Sequence, residues 1–201
     1  KSSRGEARYG WWRRSEHNWN QVCNGGITIG ALALADEEPE VAGEILENAL
    51  RGVPRAMRNF APDGAWAEGP GYWYYATRYN VTMIAALESA LGTDYGLSRL
   101  PGFDEAGTFP IYVSGATGVS FNFADAGAGP LRPWQMFWFS RRFDRPEFAA
   151  FEIAVARPEP EDLVYYDPRG HGVDLARLPR DKHFRGAEVA TFRSAWDDPS
   201  A

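Results

Sequence analysis

Two blocks of hydrophobic residues at helical spacing, separated by a segment rich in proline and glycine, constrain the fold of this 201-residue chain most strongly. The spaced positions are Ile27, Ala31 and Leu34 in the first block and Val41, Ile45, Ala49 and Val53 in the second. This spacing predicts a buried helix over residues 18–35 and a helix with one apolar face over residues 39–53, which Pro54 is expected to kink. The segment 61–71 predicts a shaped loop, and a third helix is predicted over residues 72–91, with Gly92 as its stop signal.

The hydrophobic pattern changes after Pro101. Residues 109–113 and 119–123 predict two strands joined through 114–118, and two later segments, 163–166 and 187–193, alternate like strands. One helical stretch, near 133–155, interrupts them. We therefore predict an α+β, multidomain chain with a helical portion over residues 1–104 and a β-rich portion over residues 105–201.

Composition and net charge argue against several classes of function and kinds of site. The net charge of −6 argues against a protein that binds nucleic acid over its whole surface and leaves a local basic groove open, and no apolar run approaches the ~18 residues of a membrane span. The single cysteine, Cys23, excludes an internal disulfide, and the three histidines lack metal-ligand spacing. No metal site and no cofactor are predicted within the chain. Its 8 Trp, 9 Tyr and 12 Phe suit a packed core, but aromatic faces also stack on sugars.

The order of the helices predicts where a site would lie. If the three helices run up, down and up, the first and third begin at the same end of the layer. The segments 18–20 and 71–73 would then share one rim beside the loop 61–71. Helix N-termini carry a partial positive charge, so this rim would favour an anion.

The side chains expected at this rim suit some reactions better than others. Glu68 is held between Trp66 and Gly69, either as a structural acceptor of hydrogen bonds or as a catalytic acid. A glycosidase needs a second carboxylate on the same rim, and Asp63, which precedes Gly64, is better interpreted as a turn residue. Motifs of nucleophilic hydrolases and phosphate-binding loops are absent from the sequence.

An amide and a phenol on one rim suit β-elimination from a uronic acid. The amide of Asn18 or Asn20, or the imidazole of His17, would support the negative charge that develops at the sugar carboxylate. A tyrosine would remove the proton beside that carboxylate and return a proton to the leaving oxygen. Core tyrosines and a capping asparagine remain the alternative interpretation of the same residues.

Several blocks of the sequence resemble the heparinase II/III-like polysaccharide lyases. They are residues 17–26, 62–64 with 68–73, 121–125 and 192–196. The resemblance implies the C-terminal part of an incomplete (α/α) toroid followed by the start of an antiparallel β-sandwich. It also implies an enzyme that cleaves a uronic-acid-containing polysaccharide, such as heparin, heparan sulfate or alginate, by β-elimination.

The resemblance also implies roles for individual residues. Asn18 matches the asparagine that neutralises the uronate carboxylate, with Asn20 and His17 as rivals, and Tyr72 matches the catalytic tyrosine, with Tyr74 and Tyr75 as weaker rivals. The residues expected to bind substrate are His17, Trp19, Asn20, Glu68, Trp73, Tyr75 and Arg78.

This chain departs from the family pattern after residue 196. The family's β domain supplies a further catalytic histidine, and often metal ligands, beyond that point, whereas His171 and His183 precede it. We therefore expect the middle of a longer lyase, in which any structural metal would lie in the missing C-terminal part.

The expected partner is an acidic polysaccharide, without nucleic acid or membrane, and the expected location is the bacterial periplasm or the cell exterior. Two alternatives remain open. The chain could be a non-catalytic glycan-binding or structural fragment, or it could be a glycoside hydrolase on a similar toroid.

Overall fold

The computed structural model describes residues 10–155, 157 and 159–198. The fold is mostly helical (56%) and includes a small antiparallel sheet of two strands. This agrees with the predicted α+β class. Among the residues described, every helix is too short or too polar to cross a membrane.

The chain divides into two compact units. The first comprises the residues up to Asn59 together with Tyr75–Leu100, and the second comprises Phe60–Tyr74 together with the residues from Pro101 onward. The sequence-based boundary after residue 104 stays a prediction.

All regular elements that the structure describes in the first unit are helices or 3₁₀ turns. They are a 3₁₀ turn at Trp11–Arg14, α1 at Asn18–Ala33, α2 at Pro39–Gly52, α3 at Pro54–Met57, the part of α4 (Pro70–Leu91) from Tyr75 onward, and a 3₁₀ turn at Leu97–Arg99. A further 3₁₀ turn, Arg58–Phe60, ends at the first residue of the second unit. The three predicted helices are confirmed. Pro54 begins a new helix rather than kinking the previous one, because proline fits the first turn of a helix. Gly92 follows α4 with φ +73°, as its role of stop signal requires.

The buried face of α1 differs from the predicted one. Leu34 is 52% exposed, and the buried positions are mostly polar, namely Asn18, Asn20, Gln21, Asn24 and Thr28. Of the predicted apolar positions, Ala31 is buried and Ile27 is half-buried, so the apolar spacing identified the helix and only part of its inner face. Gly25 lies on that face, where an added Cβ would come within 2.9 Å of the Tyr79 carbonyl oxygen, so only glycine allows this approach.

The predicted apolar face of α2 is confirmed at Ala49 and Val53 but not at Val41. Val41 is 54% exposed, whereas Ala42, Ala49 and the following Val53 are buried. Small alanines on the inner face allow α1 and α2 to pack closely.

The second unit combines short helices with the two-stranded sheet. Its elements are α5 at Thr108–Val113, α6 at Gln135–Phe143, α7 at Pro146–Val155, α8 at Pro160–Tyr165, 3₁₀ turns at Pro168–Gly172 and Leu175–Arg177, β1 at Lys182–Phe184 and β2 at Val189–Thr191. The strands pair antiparallel with His183 opposite Ala190. Residues 70–74, the first turn of α4, also belong to this unit.

Two predicted strands of this unit are wrong. Residues 109–113 lie in helix α5, every residue of which is buried, so tertiary packing outweighs the β propensity of Ile111 and Val113. Residues 119–123 form no strand, and Ser120 makes only isolated bridges to Ser114 and Gly129.

The segment 163–166 also differs from its prediction. Residues 163–165 end helix α8, which begins with a capping box formed by Glu159 and Asp162 around Pro160. In contrast, the strand predicted within 187–193 is confirmed over Val189–Thr191.

The helix predicted near 133–155 is two helices. Asp144 ends α6 in the left-handed region with φ +56°, and Pro146 begins α7. Aromatic rings fill the core beside this break. The Phe103 ring lies 5.2 Å from that of Phe139 and 5.4 Å from that of Phe60.

Candidate functional site

The N-terminus of α1 positions the first group of predicted site residues. His17 precedes the helix with an extended backbone, and Asn18 is its first residue. The Asn18 side chain is buried, with the residue 5% exposed. The structure therefore places Asn18 where a helix begins, just beneath the surface of the first unit.

Asn20 is held more deeply than Asn18. Its amide nitrogen donates to the backbone oxygens of Arg13 and Gly52, each at 3.2 Å, and its amide oxygen accepts from Asn24 at 3.0 Å. Asn20 is fully buried. These bonds tie the 3₁₀ turn at Trp11–Arg14 and the end of α2 to helix α1.

An exposed aromatic surface surrounds the start of α1. We define it as Trp11, His17 and Trp19. The Trp11 ring centroid lies 5.7 Å from that of Trp19 and 6.0 Å from that of His17. Trp11 is 47% exposed and Trp19 is 52% exposed. Two neighbouring indoles at this exposure form an apolar platform open to solvent.

Two arginines belong to the same 3₁₀ turn as Trp11 of the aromatic surface. Arg13 and Arg14 follow Trp11 in the same 3₁₀ turn, and both are exposed. The Arg13 guanidinium lies 5.5 Å from the centre of the ring of Trp12, the residue that follows Trp11 and is outside the aromatic surface. The surface can therefore offer ring faces and positive charge together.

Tyr75 and Arg78 belong to the first unit through helix α4. Tyr75 is 39% exposed, and its ring meets that of Tyr79 edge to face at 5.5 Å. Burial of its hydroxyl raises the pKa of Tyr75, Tyr79 adds to the rise, and the positive charge of Arg78 opposes it. A raised pKa makes Tyr75 a weaker candidate for a phenolate base.

Glu68, Tyr72 and Trp73 belong to the second unit. Glu68 accepts a hydrogen bond from the buried indole nitrogen of Trp66 at 3.0 Å. Trp73 is fully buried and packs against Phe139, whereas Tyr72 is half-buried. Trp73 thus belongs to the core of this unit. The predicted rim that joins Asn18 to Tyr72 stays a prediction.

The loop 61–71 contains a contact that sequence reasoning missed. Asp63 accepts hydrogen bonds from the backbone nitrogens of Arg185 and Gly186 at 2.6 and 3.4 Å. The carboxylate therefore anchors the turn between β1 and β2, and does more than shape its own loop. No local sequence signal links positions that are more than 120 residues apart.

The remaining candidate groups are Cys23, as a possible nucleophile, and His171 and His183, as possible metal ligands. Burial raises the pKa of the Cys23 thiol, which disfavours its thiolate form. His171 forms a hydrogen bond with the hydroxyl of Tyr166 at 2.6 Å, and His183 lies on β1. Among the residues that the structure describes, no three His, Cys, Asp or Glu side chains are grouped as a metal would require.

Comparison with protein-family models gives no match for this chain, and comparison with curated proteins gives none either.

Proposed function

We propose that this chain acts on a uronic-acid-containing polysaccharide, as part of a polysaccharide lyase that cleaves by β-elimination. In this proposal the helices of the first unit are the C-terminal part of an incomplete (α/α) toroid. The strand pair β1–β2 then belongs to the start of an antiparallel β-sandwich. Since such polymers are found outside the cytoplasm, we propose a periplasmic or secreted location.

The aromatic surface carries this proposal. Trp11 and Trp19 leave about half of their area in solvent, although burial of an aromatic side chain is strongly favourable. Sugar rings present apolar C–H faces that stack on exposed indoles, as the aromatic rings of proteins stack on one another. Asn18 lies next to Trp19 in sequence and begins the helix that presents it.

Positive charge supports an acidic rather than a neutral glycan. Arg13 and Arg14 extend from the same turn as Trp11. In this proposal the carboxylate of a sugar ring stacked on Trp11 pairs with one of these arginines. Guanidinium groups bind carboxylates in a bidentate manner, which adds direction as well as charge.

The proposed chemistry uses the amide of Asn18 and the phenol of Tyr72. The amide would donate to the uronate carboxylate and so make the neighbouring carbon–hydrogen bond more acidic. The Tyr72 phenolate would take that proton, a carbon–carbon double bond would form, and the glycosidic carbon–oxygen bond would break. The phenol would then return the proton to the leaving oxygen. This mechanism requires that both side chains reach one sugar ring.

Glycan binding without catalysis is the second candidate function. The aromatic surface lies entirely within the first unit and needs no contribution from Tyr72. A binding module would use the same indoles and arginines to hold the polymer, and would leave its bonds intact.

An assay over several acidic polysaccharides tests the proposal. The chain is incubated with heparin, heparan sulfate and alginate, while absorbance of the unsaturated uronate and new reducing ends are both followed. A lyase produces the absorbing double bond with each new end. Reducing ends without that absorbance would indicate a hydrolase. Binding without either product would indicate the non-catalytic module.

A further inference from the structure

A cavity of about 700 Å³ lies wholly within the second unit. Its walls are helix α5, the loop 114–118, the C-terminal half of α7, the segment 170–176 and residues near the end of the chain. This volume falls within the ~300–1,000 Å³ typical of small-molecule sites. The aromatic surface of the first unit contributes no residue to it.

Part of the cavity lining is apolar. The apolar side chains come from three separate segments and are Ile111, Phe151, Ile153, Val155, Val173 and Leu175. Such a wall can cover the hydrocarbon body of a ligand, and each buried methylene group would contribute about 0.8 kcal/mol.

Arg193 also lines this cavity, and two contacts fix its side chain. The Arg193 side chain donates from Nη2 to the Tyr112 carbonyl oxygen at 2.8 Å, and its Cζ lies 3.7 Å from the centre of the Trp196 ring. Trp196 is fixed in turn, since its indole nitrogen donates to the Leu178 oxygen at 3.0 Å. The guanidinium is therefore positioned before any ligand arrives.

Within the described part of the chain the Arg193 guanidinium forms no salt bridge, and the nearby Asp181 carboxylate accepts from the Arg193 backbone nitrogen at 3.4 Å. Within residues 10–155, 157 and 159–198, the buried Nε atom of Arg193 also donates no hydrogen bond. Burial lowers the pKa of Arg193, while Tyr112 and Asp181 oppose the change. A partly desolvated cation of this kind is stabilised when an anion binds beside it.

Ser114 provides a second, independent observation. It lines the cavity, is 6% exposed, and its hydroxyl has no hydrogen-bond partner within the described part of the chain. Buried polar groups in folded proteins nearly always have partners. A ligand oxygen in the cavity would supply a partner once the Ser114 side chain rotated toward it.

Two carboxylates at the edge of the cavity limit the negative charge of a ligand that can bind there. Asp174 and Asp197 border the cavity, and both are exposed. Their carboxylates would repel a polyanion, whereas a single negative charge next to Arg193 would be tolerated.

We propose that the cavity binds a small amphipathic monocarboxylate, with its carboxylate at Arg193 and its hydrocarbon body against Ile111 and Phe151. This site is independent of the glycan function proposed above.

Calorimetric titration with hexanoate tests this site. We expect saturable binding of hexanoate, and at least about tenfold weaker binding of its neutral analogue hexan-1-ol. Inorganic sulfate and glucuronate distinguish the other anion sources. Equal or tighter binding of either one would overturn the role of the apolar wall, and no hexanoate binding at millimolar concentration would overturn the site.

Variants locate the bound carboxylate. Arg193→Met should weaken hexanoate binding at least about tenfold, whereas Arg141→Met, which removes an exposed arginine outside the cavity, should not. Because Arg193 also supports Tyr112, Ala154→Trp provides a second test. Ala154 is an exposed residue of the cavity lining, so tryptophan there should block binding without lowering the melting temperature. Unchanged hexanoate affinity in a folded Ala154→Trp protein would contradict the location.

Discussion

The indole rings of Trp11 and Trp19 lie 5.7 Å apart, at an angle of 54° between their planes, and both are open to solvent. The two residues come from different elements, a 3₁₀ turn and the first turn of α1. Asn20 holds these elements together through its bond to the Arg13 backbone oxygen. A buried polar contact thus fixes an exposed aromatic pair.

Removal of the Trp19 indole should weaken glycan binding. Trp19→Ala deletes one face of the aromatic surface, and aromatic contacts contribute about 0.5–1.5 kcal/mol beyond area burial, so affinity should fall roughly 3- to 10-fold. Calorimetry with a heparin-derived oligosaccharide measures the change. Tyr95→Ala is the matched control, because Tyr95 is 55% exposed in the same unit but lies outside the aromatic surface. Equal losses in both variants would argue against the surface as the binding site.

Glycan affinity should depend on salt through Arg13 and Arg14. Exposed charges are screened over about 10 Å at 0.1 M ionic strength, so the dissociation constant should rise as salt is added. Replacement of both arginines by glutamine should lower the affinity and flatten this dependence. Arg51→Gln changes an exposed arginine that is paired with Glu47, and should leave the salt dependence intact. A steep dependence that survives the double substitution would place the cationic contact elsewhere.

Glu152 should make the protein less stable as pH rises. It is 1% exposed on α7, and its pKa is raised to about 8 by burial, with the carboxylates of Asp162 and Glu159 adding to the rise and Arg132 opposing it. The unfolded chain loses this proton near pH 4.5 and the folded chain near 8. Stability should therefore fall between these two values and level off above them.

The substitution Glu152→Gln isolates this effect. Glutamine keeps the shape and removes the charge, so it should stabilise the protein at pH 8 by at most about 5 kcal/mol, and the gain should shrink toward pH 4.5. Urea unfolding across that range measures it. The exposed Glu188→Gln serves as the control. A gain that does not vary with pH would contradict the proposed cause.

Asp167 should stabilise the folded protein more as pH rises, which is the opposite of the effect of Glu152. Its carboxylate accepts hydrogen bonds from the Arg169 guanidinium and from the Ser140 hydroxyl, and these bonds lower the pKa of Asp167 to about 2. The contribution is present above the unfolded value of about 3.8 and is lost as pH falls through 2.

Asp167→Asn should therefore lower the melting temperature at pH 7 by a few degrees, with a smaller difference near pH 2. Asp144→Asn removes a carboxylate that binds the same arginine from an exposed position, and should have little effect. Similar decreases in melting temperature for both variants would show that the buried hydrogen bonds of Asp167 stabilise the protein no more than the exposed ion pair of Asp144 does.

The sequence predicted helices better where a local start or stop signal was used. Pro39 and Gly92 were used as such signals in the first unit, and each lies where the structure has a helix end, whereas Pro54 was interpreted as a kink and instead begins a helix. The same kind of signal was present at Glu159–Asp162, where a capping box around a proline begins α8. The alternation of the following residues was instead interpreted as a strand.

Other features depend on contacts that sequence order does not reveal. Residues 109–113 have strong β propensity but form a short helix because they are buried on every side. The polar inner face of α1 follows from the bonds of Asn20 and Asn24, which the apolar pattern did not contain. The pairing of Trp11 with Trp19, and the cavity beside Ser114 and Arg193, likewise arise only after folding.

The formation of unsaturated uronate by the complete wild-type enzyme and by its Tyr72→Phe variant, followed by absorbance on the same polysaccharide, tests the central claim most directly. The substitution removes one oxygen from a half-buried residue and keeps its ring, so melting temperature and glycan affinity should change little. If that oxygen transfers the proton, the rate should fall by about 10²–10⁴-fold. Asn18→Ala should also slow the reaction, because the carboxylate loses its donor. Equal rates for wild type and Tyr72→Phe at equal folded concentration, or no unsaturated product from the wild type on any acidic polysaccharide, would contradict the account.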